Sequence, residues 1–180
     1  MKNGILAVLT LFTLLGFQAH GQQREEGSVI VGYGPFYPIP SPDYPTDTTR
    51  EFKVVFDVKN SPEDPETRNP WIETAARFLN MHARAGVPAA QLQVALVVHN
   101  QAAPDLLEDA FYRERFGTDN PNRGLLEALN TAGVQVILCG QSAAARAVPP
   151  EHTVPGTKLA LSAMTALIQL QDDGYRLIAF

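Results

Sequence analysis

From residue 51 to the end of the chain, short β-branched apolar runs alternate with segments whose apolar residues recur every three or four positions. "FKVVFDV" (52–58), "LQVALVVH" (92–99), "VQVILC" (134–139), "KLAL" (158–161) and "YRLIAF" (175–180) read as strands. Strands separated by helical crossovers run parallel, and their crossovers are right-handed. The second run is almost wholly apolar, as a strand covered on both faces must be. The expected fold is α/β: a doubly wound, mainly parallel five-stranded sheet with helices on both faces.

The helices carry their own punctuation. Asn69 caps a helix that begins at Pro70 and extends over roughly Trp71 to Ala85. It puts Ile72, Ala75, Ala76, Leu79 and Ala83 on one face and stops at Gly86. Further helices are expected over about Pro104–Arg115 and over Asn122–Ala132, where Gly133 ends the pattern. A short one follows in "QSAAARAV", and another spans Ala163–Asp172, capped by Ser162 and ended by Gly174.

The first 49 residues do not share this pattern. Residues 1–21, "MKNGILAVLTLFTLLGFQAHG", open with Lys2 and continue through an apolar run from Ile5 to Phe17. Ala19 and Gly21 then fit small-x-small cleavage before Gln22. This is the form of a secretory signal peptide, with an apolar run too short for a comfortable membrane span. The expectation is an exported protein, periplasmic or outside the cell, with no membrane span after cleavage. Residues 22–49 are rich in Gly, Pro, Tyr and Ser, and the prolines bar a regular helix or central strand. They read as a tether, or as an arm that packs on a neighbouring subunit through Phe36, Tyr37 and Tyr44. Residues 50–180 form the α/β domain. A formal charge of −5 gives no basic surface for nucleic acid or anionic lipid.

In parallel α/β sheets, chemistry collects beyond the carboxyl ends of the strands. Asp57, His99 and Cys139 fall at the ends of the first, second and third strands, on one edge. Cys139 is the single cysteine, so no internal disulfide is open to it. Gly140 permits a sharp turn, and Gln141 and Ser142 begin a helix. Amides of Gly140–Ser142 there would stabilise a thiolate or persulfide and lower the thiol pKa. "CGQS" has C-x-x-S spacing, so a second, resolving thiol is missing and disulfide cycling within one chain is excluded. Spacing alone leaves a reactive thiol and a buried inert one both open. His99 reads as a general base, an anion donor or a structural cap on a strand end, and Asp57 as a loop cap or a site carboxylate. Arg146 reads as a surface or interface arginine, with anion steering as its alternative. His82, His99, His152 and Cys139 lack metal-ligand spacing, and neither a metal nor another cofactor is expected.

"NPNRGLLEALNTAGVQVILCGQSAAARAV" followed by "VPGTKLALSAMTALIQLQDDGY" resembles the DsrE/DsrF-like proteins of sulfur relay, and the likeness extends over roughly residues 51–180. The resemblance implies a flavodoxin-like α/β fold and homo-oligomers, trimers or hexamers. It also implies a cysteine after the third strand, Cys139 here, that holds a persulfide for a sulfur donor or acceptor protein or a small sulfur species. No family role transfers to His99 or Asp57. The leader and the Pro-rich arm depart from the relay proteins, which are cytoplasmic. The resulting expectation is an exported sulfur carrier or sulfurtransferase-like protein. Its alternative is a non-catalytic oligomeric small-ligand-binding or envelope-associated module of the same fold.

Overall fold

The computed structural model describes residues 22–180, so the expected leader lies outside the described residues. Five parallel strands are present: β1 (Phe52–Val58), β2 (Leu92–Val98), β3 (Gln135–Cys139), β4 (Lys158–Ala160) and β5 (Arg176–Ala179). Their spatial order is β4-β3-β2-β1-β5. The helices are α1 (Pro70–Arg84), α2 (Asp109–Phe116), α3 (Arg123–Thr131), α4 (Gly140–Ala145) and α5 (Ala163–Asp172).

This order explains the two layers of helix. The steps from β1 to β4 all move the same way across the sheet, so right-handed crossovers lay α1 to α4 on one face. The link from β4 to β5 runs back to the opposite edge, and the same handedness sends α5 to the other face. Strand side chains alternate between the two. Val54, Phe56, Val58, Leu96 and Leu138 pack on the α1–α4 side with Ile72, Leu79, Leu125, Leu126 and Leu129. Val55, Ala95, Val97, Ile137 and Cys139 pack on the α5 side with Ala163, Ala166 and Leu170.

Asn69 does cap α1: its Oδ1 accepts from the Trp71 and Ile72 amides. Two helical expectations change. The continuous helix over 104–115 is replaced by a 3-10 turn, Asn100–Leu106, followed by α2. Pro104 brings no N–H, and Leu107 is extended and bridges to Thr153 instead of continuing a helix. The helix expected over 141–148 begins one residue earlier and ends at Ala145. Ala147 then takes a left-handed backbone (φ 50°), and the Val148 amide closes back on the Ala143 carbonyl.

The arm also differs from expectation. Phe36 is buried in its own chain, and Ile30 with it, while Tyr37 and Tyr44 stay exposed. Glu25 and Phe36 form an antiparallel bridge. Asn80 of α1 supplies the clamp. Its Oδ1 accepts from the Val29 and Ile30 amides at 3.1 and 2.9 Å, and its Nδ2 donates to the Ile30 and Tyr33 carbonyls. Gly34 is left-handed (φ 61°), and a Cβ there would lie 2.3 Å from the Arg77 nitrogen. The stretch 25–36 is therefore a folded cover on α1, with Phe36 packed within its own chain.

Candidate functional site

The reversal of winding locates the site. α4 leaves β3 for one face and α5 leaves the adjacent β4 for the other, which opens a crevice between the two strand ends. Cys139 is the last residue of β3 and the N-cap of α4. Gly140 lets β4 come close: a Cβ at this position would lie 2.7 Å from the Ala160 carbonyl oxygen and 3.2 Å from that of Leu161. Any larger residue would push α4 off the end of β4.

Cys139 is only 4% exposed. Burial pushes its thiol pKa up, but the Ser142 hydroxyl, followed by the amides of Ser142, Ala163 and Gln141, pulls it down. The net result lies below the ordinary thiol value. The amides face the sulfur without closing a capping hydrogen bond. Of the Gly140–Ser142 amides expected around the sulfur, those of Gln141 and Ser142 act on it and that of Gly140 does not. Ala163 was missed. Its signal is Ser162, whose hydroxyl accepts from the Thr165 amide and so starts a second helix at the same edge.

Ser142 is itself held in place. Its oxygen accepts from the Asn100 amide at 2.8 Å, leaving its own hydrogen free to turn toward the sulfur. Asn100 has a left-handed backbone (φ 49°), and its Oδ1 accepts from Arg146 Nη2 at 2.5 Å. Arg146 therefore buttresses the turn that carries Ser142.

Asp57 and His99 come together. Nε2–H of His99 donates to Asp57 Oδ1 at 2.7 Å, with both side chains about one-fifth exposed. In a neutral ring that bond sets the tautomer, with Nδ1 as the acceptor nitrogen. Val98 pairs with Leu138, so the register sets His99 beside Cys139 at the edge of the sheet. Among the described residues no hydrogen bond joins His99 to Cys139, so the acid–imidazole pair and the thiol do not form a bonded triad. Also among the described residues, no group of three or more His, Cys, Asp or Glu is placed to hold a metal ion, and no helix is long and apolar enough to cross a membrane.

The surface around the crevice is apolar. A shallow groove of about 350 Å³ runs along Gly140, Ala143, Ala147, Val148 and Leu159. Leu159, Leu161, Met164 and Ile168 are all more than half exposed.

The model of the DsrE/DsrF-like family matches residues 53–180. Among solved structures, the chain is similar to MTH1491 from Methanobacterium thermoautotrophicum, described as a protein of unknown function. Identity is 16%, with 72% of this chain and 99% of that one covered, at a TM-score of 0.54. It is also similar to the ychN protein from E. coli, at 18% identity, the same 72% and 99% coverage, and a TM-score of 0.52. At these identities the likeness is one of fold. No curated protein matches the chain.

Proposed function

The chain belongs to the DsrE/DsrF-like family, and from that premise we propose that it is an exported sulfur carrier or sulfurtransferase-like protein holding a persulfide on Cys139. In the proposed step the Cys139 thiolate attacks the outer sulfur of a sulfane-sulfur donor. The donor's S–S bond breaks, a new S–S bond forms on Cys139, and the donor leaves as a thiolate. No external oxidant or reductant is needed. The observation that carries the reading is the ring of donors around one sulfur: the Ser142 hydroxyl and amides from the starts of both α4 and α5. Such a shell favours the anionic form of a thiol or persulfide. Nδ1 of His99, fixed by Asp57, supplies a proton acceptor next to the crevice. Export rests on the leader read in residues 1–21. The apolar residues on β4 and α5 support a homo-oligomer.

The burial of Cys139 favours the second reading, a non-catalytic oligomeric ligand-binding or envelope-associated module in which the thiol only packs. Mass spectrometry after incubation with a sulfane-sulfur donor separates the two. The carrier gains the mass of one sulfur atom on Cys139, and Cys139→Ser gains none. In Ser142→Ala the pH profile of Cys139 alkylation moves to higher pH. An unmodified Cys139 that still alkylates readily would leave only the module.

A further inference from the structure

A second cavity lies beyond the carboxyl ends of β1 and β2, on the α2 side of the sheet and away from the sulfur. It is about 300 Å³ in volume, with Ser61, Glu63, Asp105, Tyr112, Arg115 and Arg146 in its walls. That is room for about ten water-sized groups. Neither Arg115 nor Arg146 forms a salt bridge among the described residues. Both are oriented by neutral oxygens instead: Arg115 Nη1 donates to the Arg146 carbonyl at 2.7 Å, and Arg146 Nη2 to Asn100 Oδ1. Each guanidinium thus keeps its full charge and has N–H groups left over. Two carboxyl groups, on Glu63 and Asp105, share the same walls. Asp105 is held by the Ser61 hydroxyl and the Asn69 side-chain amide, and among the described residues it has no cationic partner.

Two held arginines and two carboxyl groups around one small space suit a molecule that carries both charges. We propose that this cavity binds a small zwitterion of the amino-acid class, its carboxylate toward Arg115 and Arg146 and its ammonium toward Glu63 and Asp105. A simple anion meets the carboxyl groups, and a simple amine meets the arginines. Only a ligand with both ends satisfies all four. The site stands apart from sulfur loading. A chain of hydrogen bonds, Arg146–Asn100–Ser142, links it to the residue beside the thiol.

The test is a thermal-shift panel of the common L-amino acids other than cysteine against the full protein without a sulfur donor, followed by calorimetry on the best binder. Acetate and methylammonium serve as single-ended controls. The expected result is saturable binding of at least one amino acid, with each control weaker by about ten-fold or more. Arg115→Gln and Glu63→Gln should each weaken that binding by a similar factor. Both residues are exposed, so their variants are expected to fold even where Arg146→Gln does not. Failure of the whole panel overturns the proposal, as does acetate binding as tightly as the amino acid or affinity unchanged in Arg115→Gln. Because no sulfur donor is present, these results are independent of whether Cys139 can be loaded.

Discussion

Asp105 is 3% exposed, and burial raises its pKa to about 6 in spite of hydrogen bonds from Asn69 and Ser61 that lower it. The folded state therefore holds this proton more tightly than the unfolded chain does. Its contribution to stability is complete below pH about 4 and is lost as pH rises through about 6, a change on the order of 3 kcal/mol. Urea unfolding at pH 4 and pH 7 checks this: Asp105→Asn should show a smaller drop between the two than the parent protein. An equal drop would assign the effect to another group. The residue was not legible in the sequence, because "QAAPDLL" reads as ordinary helix and nothing local marks Asp105 as buried. What buries it is a knot of long-range polar contacts. Asn69 donates to its carboxyl, Asn120 donates to its backbone carbonyl, and Asn122 accepts from the Asn69 amide. Cys139 was legible as a position, since a strand end followed by glycine and a helix start can be read locally. Its burial was not, because Ala163 and the α5 wall come from more than twenty residues away.

Among the elements, α1 does more than cover the sheet. Through Asn80 it fixes a stretch of arm whose composition gave no sign of order. Gly and Pro describe what such a segment cannot form, but not what it leans on. Asn80→Ala leaves the Val29 and Ile30 amides without partners and should destabilise the fold by on the order of 2–4 kcal/mol. Hydrogen exchange at those two amides should rise well above that of the β1 amides. Protection equal to the parent's would mean the arm is held by Ile30 and Phe36 packing alone. The misplacement of α2 has a similar origin: Pro104 at its expected start belongs to the 3-10 turn, and the break at Leu107 depends on Thr153, far along the chain.

At the scale of the whole molecule, parallel strands and covering helices follow from the alternation of patterns. Strand order does not, because β5 follows β4 through a crossover whose length alone permits either edge. That choice sets α5 by itself on its face, with Met164 and Ile168 turned outward beside Leu161. In the proposed homo-oligomer this apolar surface is the interface. Light scattering on the native protein should give a multiple of the chain mass, and the pair Met164→Glu and Ile168→Glu should return a single chain. An unchanged mass in that variant would move the interface elsewhere.

The first turn of α5 has two opposed effects on Cys139. It is a wall that keeps water from the sulfur, which disfavours the anion, and through the Ala163 amide it is also a donor that favours it. Burial is the larger of the two, and the Ala163 amide only partly counters it. Access to the sulfur and its readiness to ionise are therefore tied to one short turn, and a substitution there alters the two together.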